Sequence, residues 1–484
     1  MRKIALASIV LLMSCSSAAV EQGAPSTAPE TSMPIPSGAS FSSCKDKGLA
    51  GFECGTVKAP LDYADPAKGD ISVAFARARA TDQPRGVLFV NPGGPGMPGR
   101  TFLKSALAML SPEIKAVFDV IAVDPRGTGG TVGLDCDVNL DEVFGLDPSP
   151  TSGAEEAAIV NADVRFSAAC EKASNGVLPY LSTAYSARDM DLVRAALGED
   201  RINYLGLSYG TELGATYIAL FPDRLGRIVL DGPIDVNLSP AERSILQGQG
   251  FEKALDGFLA WCEKEQCALH PRPAERFDAL MTSLDERPLV NKGRTSTNLS
   301  VGLFATAVGM YSTDSYGYLG TALYRAENGD GSALLNLYDL YMERSPDGTY
   351  GTTQYGFRAI SEADDEPLTL EEQSALLEKA KKTLPRLWPL FSTFPHENPW
   401  PSFARAEPVM FRAAPAGSTL VVAATEDPAT PFAGGQALSK LLEAPLLVRV
   451  GGGHTSYGSS DCVRDAVDVF YLTGRTPSVS TECS

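Results

Sequence analysis

Ile202-Asn203-Tyr204-Leu205-Gly206-Leu207-Ser208-Tyr209-Gly210 begins with an apolar run of strand length and leads into a helix-like run over 211–220. A serine is thereby placed at a sharp strand-to-helix turn, the geometry of a nucleophile elbow. The two glycines answer a steric need. The serine must hold a strained backbone with its hydroxyl exposed, and side chains two positions either side would collide across so tight a turn. In a chain with 45 glycines the five-residue pattern also arises as an ordinary turn, so the partners of the serine decide the reading.

An acyl-transfer serine needs a base, a carboxylate to orient the base, and donors for the oxyanion, and behind an elbow these follow in the order Ser, acid, His. The chain has three histidines. His270 sits in a Cys- and Pro-containing segment and His396 between Pro395 and Glu397. Only His454, after the strand-like Leu446-Leu447-Val448-Arg449-Val450 and three glycines, stands on a loop at a strand's carboxyl end, so it is the expected base. One strand earlier, Thr419-Leu420-Val421-Val422-Ala423-Ala424-Thr425 runs into Glu426-Asp427-Pro428. Asp427 is the expected acid, because Pro428 fixes a turn that can aim a short carboxylate at the histidine. Asp231, ending the run Arg227-Ile228-Val229-Leu230, is the rival, with a turn-capping role as its alternative. Val87-Leu88-Phe89-Val90-Asn91-Pro92-Gly93-Gly94-Pro95-Gly96 carries a strand into a glycine-rich loop, and the amides of Gly94 and Tyr209 are the expected oxyanion donors. A phosphate loop fits poorly: a Lys-Ser/Thr ending is missing there, and the prolines remove donors that a phosphate would need.

Together, Asn91-Pro92-Gly93-Gly94-Pro95-Gly96, Asp124-Pro125-Arg126-Gly127-Thr128-Gly129, the elbow, Asp427-Pro428-Ala429-Thr430-Pro431 and Gly453-His454-Thr455-Ser456-Tyr457 resemble the secreted tripeptidyl-aminopeptidase-like branch of the α/β-hydrolases, relatives of the prolyl aminopeptidases. The resemblance runs from about Cys44 to Cys483 and implies Ser208 as nucleophile, Asp427 as acid and His454 as base. The chain departs from it at Asn91, where prolyl aminopeptidases usually carry histidine, and in lacking a cysteine pair near Ala359-Ile360-Ser361 and before Trp400. These departures bear on substrate preference and leave the chemistry alone.

Met1-Arg2-Lys3 and the short apolar run 4–13 read as a secretory signal, too short for a stable membrane span. Leu12-Met13-Ser14-Cys15 resembles a lipoprotein signal, which would leave Cys15 as a lipid-bearing first residue; cleavage near Ser17-Ala18-Ala19 without lipid is the alternative. Of nine cysteines, eight remain beyond Cys15, an even set that suggests disulfides in an exported chain. Spacing alone leaves their pairing open. The resemblance implies Cys44 with Cys54, Cys136 with Cys170, Cys262 with Cys267, and Cys462 with Cys483. A zinc site at Cys262 and Cys267 has no second ligand pair nearby.

Eight strand-like runs, near Thr56-Val57 and over 71–76, 87–90, 117–123, 202–205, 228–230, 420–423 and 446–450, alternate with helical stretches such as 186–197 once the sheet is under way. The expected fold is an α/β-hydrolase fold: a mostly parallel eight-stranded sheet flanked by helices, with an inserted, mainly helical cap. Its expected division is a signal over 1–14, a disordered tether over 15–42, core over 43–236, cap over 237–405, and core again over 406–484. The gap from Leu230 to about Leu420 is too long for a loop. Within it, 251–261 and the stretch after Thr369, with a Thr369/Glu372 capping box, read as helices. Half of the sixteen tyrosines fall between Tyr311 and Tyr355, as pocket lining or as core.

A net charge of −18 argues against a nucleic-acid partner. The cluster Glu362, Asp364, Asp365, Glu366 is either a solvated run or a site for a peptide's amino terminus. The expected function is an exported serine exopeptidase acting on peptides with free N-termini, held to the membrane only through lipid on Cys15, with no metal or organic cofactor and no obligate protein partner. A carboxylesterase on the same triad is the alternative, and a non-catalytic binding lipoprotein a further one.

Overall fold

The computed structural model describes residues 39–46, 48–406, 408–477 and 482–484. The expected signal, most of the expected tether, and Cys15 lie outside the described residues.

One sheet carries β1 (Ser40–Ser43), β2 (Glu53–Pro60), β3 (Asp70–Ala78), β4 (Val87–Asn91), β5 (Asp119–Val123), β6 (Ile202–Leu207), β7 (Leu225–Asp231), β8 (Thr419–Glu426), β9 (Leu446–Gly452) and β10 (Glu482–Cys483). Their spatial order is β1-β2-β3-β5-β4-β6-β7-β8-β9-β10. From β5 to β10 every neighbouring pair is parallel, whereas β1, β2, β3 and β5 pair antiparallel. The central strands β4 and β6 are buried on both faces, which is why they read as nearly unbroken apolar runs. Leu88, Val90, Leu205 and Leu207 face a core closed by Leu103, Val463, Val467 and Phe470. Phe89 and Tyr204, pointing the other way, meet Met190 and Leu213.

Among the described residues the sheet has ten strands rather than the expected eight. Seven of the expected runs lie wholly on strands, and the eighth, 117–123, does so from Asp119, since Val117 ends the helix Pro112–Val117; the additions are the outermost two, β1 and β10. Residues 40–42, expected in the tether, belong to β1. Four and two residues long, these strands carry no apolar alternation and are tied in place by the bonds Cys44–Cys54 and Cys462–Cys483. The other two disulfides join Cys136 to Cys170 and Cys262 to Cys267.

Between β7 and β8 the described residues form seven α-helices: Pro240–Lys264, Pro273–Glu286, Leu299–Met310, Tyr316–Glu327, Ser332–Tyr341, Thr353–Asp364 and Leu370–Thr383. They close on a core of their own, including Phe251, Leu255, Phe258, Phe277, Leu303, Leu319 and Leu334. Thr369 and Glu372 form the expected capping box. The first helix starts eleven residues before the expected 251, at Pro240, behind a second capping box of Ser239 and Glu242. The tyrosines serve mainly as packing: Tyr316, Tyr338 and Tyr355 are buried, Tyr318 and Tyr324 exposed.

Candidate active site

The end of β6 delivers Ser208 with φ 56° and ψ −123°, immediately before the buried helix Tyr209–Leu220. That positive φ is costly for a residue with a side chain, and the turn enforces it. A Cβ on Gly206 would lie 2.2 Å from the Gly210 carbonyl oxygen, so only glycine fits. The Ser208 N–H donates to the carbonyl of Asp231 at the end of β7 (2.9 Å). From the other side the loop after β4 closes on the elbow. Asn91 Oδ1 accepts from the Gly93 N–H (2.9 Å), and a Cβ on Gly93 would lie 2.9 Å from that of Ser208. Gly94, Ser208 and Tyr209 thus line one cavity of about 320 Å³. The Tyr209 side chain is buried with its hydroxyl paired to Thr183, which leaves its backbone at the site.

Asp427 follows β8 and His454 follows β9. The Asp427 carboxylate is buried; Oδ1 accepts from the amides of Ala429 (3.0 Å) and Thr430 (2.9 Å), and Oδ2 from that of Thr455 (3.2 Å). His454 Nδ1 lies 2.9 Å from Oδ1 and 3.0 Å from Oδ2. With a carboxylate there, Nδ1 carries the proton and Nε2 keeps its lone pair. Burial pushes the Asp427 carboxyl up, but the imidazole and the backbone donors outweigh it and hold the group below its ordinary value. Burial likewise works against a charged His454, and Asp427, with help from Asp231, more than compensates and raises it. The His454 N–H donates to the Tyr311 carbonyl (2.8 Å), and the Tyr311 ring stands edge-on to the imidazole with centroids 5.4 Å apart.

Asp427 and His454 are therefore joined directly. No hydrogen bond links Ser208 to His454 among the described residues, yet both abut one short segment. Asp231 receives the Ser208 amide, and a Cβ on the next residue, Gly232, would lie 3.3 Å from His454 Cε1. The rival Asp231 accepts no hydrogen bond from the imidazole; its carboxylate takes the amides of Ser456 and Tyr457. His270 pairs with Glu263 and His396 with Asp163, and neither lines the Ser208 cavity.

The far wall of the cavity is acidic. Of the cluster read in sequence, Asp364 and Asp365 line it. Glu362 instead binds Asn398 and Arg358, and the exposed Glu366 binds Arg405. Asp364 accepts from the Thr183 amide (2.7 Å) and hydroxyl (2.6 Å); burial, reinforced by the nearby Glu212, pushes its carboxyl up to about 8. Glu212, one turn beyond Ser208, is raised by burial too, and Arg243, ion-paired to Asp365, completes the wall. Sequence reading missed Glu212. Its signal was a carboxylate in the otherwise small and apolar first turns of a buried helix. Among the described residues no group of three or more His, Cys, Asp or Glu is placed to hold a metal ion.

Residues 86–460 match the model of the alpha/beta hydrolase fold family, and the chain belongs to that family. It is a serine hydrolase. It is 30% identical over 458 residues to the serine protease Hip1 of Mycobacterium tuberculosis, covering 90% of this chain and 87% of that protein. It is 33% identical over 485 residues to carboxylesterase B of the same species, covering 96% and 91%. It is 28% identical over 468 residues to a tripeptidyl aminopeptidase of Streptomyces lividans, covering 90% and 84%.

Proposed function

We propose that this chain is an exported serine exopeptidase that removes short peptides, tripeptides foremost, from free N-termini. Ser208 Oγ attacks the scissile carbonyl while His454 Nε2 takes its proton; the tetrahedral intermediate collapses as that proton passes to the leaving amine. Water then repeats the sequence on the acyl-enzyme and frees the short peptide. Asp427 holds the imidazole, and the amides of Gly94 and Tyr209 receive the oxyanion. The observation that carries the reading is the single cavity lined by Ser208, Asp364 and Glu212, whose raised acid groups would ionise against an arriving ammonium group. The similarity to the tripeptidyl aminopeptidase and to Hip1 supports it. Acetylating the N-terminus of a cleavable tripeptide anilide removes the ammonium partner and is expected to lower kcat/KM by roughly 30-fold or more, the equivalent of about 2 kcal/mol. Equal rates on free and acetylated peptides would rule the reading out.

Carboxylesterase activity on the same triad is the second reading, favoured by the likeness to carboxylesterase B. Rapid turnover of simple esters with no peptide cleavage would establish it. The helices between β7 and β8 are proposed to act as the cap that closes the amino-terminal end of the cleft. Four disulfides support export to an oxidising compartment, and lipid on Cys15 is proposed as the anchor.

A further inference from the structure

Asp231 is fully buried, sits at the carboxyl end of β7, and has no part in the chemistry assigned above. Its contacts reach both halves of the machinery. Its carbonyl accepts the Ser208 N–H (2.9 Å). Its carboxylate accepts the Ser456 N–H (3.0 Å at Oδ1, 2.8 Å at Oδ2) and the Tyr457 N–H (2.8 Å at Oδ2), the second and third residues beyond His454. Among the described residues no side chain donates to that carboxylate, so one buried acid group is spent on two main-chain amides of the histidine loop.

We infer that Asp231 is a positioning residue for catalysis: it fixes the base loop through its carboxylate and the elbow through its carbonyl, and its negative charge favours the imidazolium formed during turnover. The inference rests on the proposed triad. The groups facing His454 are Asp427 after β8, Thr430 Oγ1 at 3.4 Å from Nδ1, the Tyr311 ring and carbonyl, and Asp231 at the end of β7. Arg449 on β9 spends its guanidinium on the Gly452 and Gly453 carbonyls and on Ser456 Oγ. Asp427 touches the ring and outranks Asp231 as a charge; Asp231 adds to it from behind. Burial opposes ionisation of Asp231 and pushes it up to about 6 despite the two amides. A carboxylate kept there against that opposition points to use of its charge as well as its shape.

Two variants separate charge from position. Asp231→Asn, with its oxygen in the place of Oδ2, keeps the two 2.8 Å amide bonds, gives up only the longer 3.0 Å contact at Oδ1, and removes the charge, and as a neutral group in a site that resists charge it permits folding. Asp231→Ala removes both bonds. For Asp231→Asn the acidic limb of the kcat/KM profile is expected to move to lower pH with KM for the peptide unchanged. For Asp231→Ala, kcat is expected to fall on the order of 100-fold, as two hydrogen bonds to a charged group are lost, and labelling by a fluorophosphonate probe to slow by a similar factor. An unmoved acidic limb in Asp231→Asn together with kcat within about threefold of wild type in Asp231→Ala, less than one such bond, would overturn the inference. Ser208→Ala tests the triad itself: turnover or labelling surviving there would sink the triad, whereas the Asp231 outcomes count only while both depend on Ser208.

Discussion

Replacing Asp427 by Asn changes one atom, and the structure indicates which one. Oδ1 accepts two backbone amides at 3.0 and 2.9 Å, whereas Oδ2 accepts one at 3.2 Å, so the side-chain nitrogen of the variant settles where Oδ2 was. The direct cost to stability is small: the Thr455 N–H now faces another donor, worth about 1 kcal/mol. The cost to chemistry is much larger. The new NH₂ stands 3.0 Å from His454 Nδ1, and because the retained oxygen, 2.9 Å from Nδ1, already accepts the Ala429 and Thr430 amides, the NH₂ donates to Nδ1 and drives the imidazole proton onto Nε2, the nitrogen proposed to accept the proton of Ser208. A base held in the wrong tautomer typically loses about 10⁴ in kcat, or about 5.5 kcal/mol at 1.36 kcal/mol per tenfold. The assay is kcat/KM on a tripeptide anilide across pH 6–9, about the range over which a histidine base titrates, beside a urea unfolding curve. The expected result is a nearly wild-type unfolding midpoint with activity lower by several orders of magnitude. A loss under about tenfold, less than a general base alone supplies, would refute the assignment of Asp427 as the orienting acid.

The rate should fall as pH drops through the His454 titration, because only the neutral imidazole can accept a proton; since Asp427 overcomes burial and raises this group, the midpoint is expected above the ordinary histidine value of about 6.5. A pH–rate profile flat from 5 to 8, about the span in which histidine titrates, would count against it. Removing the Cys462–Cys483 bond with paired serines opens a loop of sequence separation 21 and is expected to cost about 3 kcal/mol in urea unfolding while leaving kcat unchanged, since the bond ties β10 and touches no site residue. Cys15→Ala should shift the protein from the membrane fraction to the soluble one with peptide turnover intact, and intact-mass analysis showing no lipid on the natural chain would reject the anchor.

The elbow and its partner loops could be read from sequence because each demands a residue type that leaves few substitutes. Gly206 has no room for a Cβ, the base had only three candidates, and β4 and β6, buried on both faces, announce themselves as apolar runs. What escaped notice depends on distant partners. β1 is held by a covalent bond and by Phe41 against Phe75, not by an apolar pattern, and β10 by its disulfide. Asp364 and Glu362 look alike in sequence, two residues apart, and only the packing of Thr353–Asp364 sends one to the Ser208 cavity and the other to Asn398. The start of Pro240–Lys264 is different, since the Ser239/Glu242 box and Pro240 spelled it out in sequence.

The proposed nucleophile follows β6, before the long segment between β7 and β8, and the proposed acid and base follow β8 and β9, after it. β7 and β8 are nonetheless hydrogen-bonded neighbours, Asp231 lying opposite Val422. The two strands run parallel about 4.8 Å apart, with Thr419 opposite Ile228, so the 187 residues between Asp231 and Thr419 leave from the carboxyl end of β7 and cross back to the amino end of its neighbour. Any segment that completes that crossing can be spliced in without shifting a strand. Evolution is thereby free to exchange, lengthen or trim what lies between, altering which molecules reach the serine while the reaction performed on them stays the same.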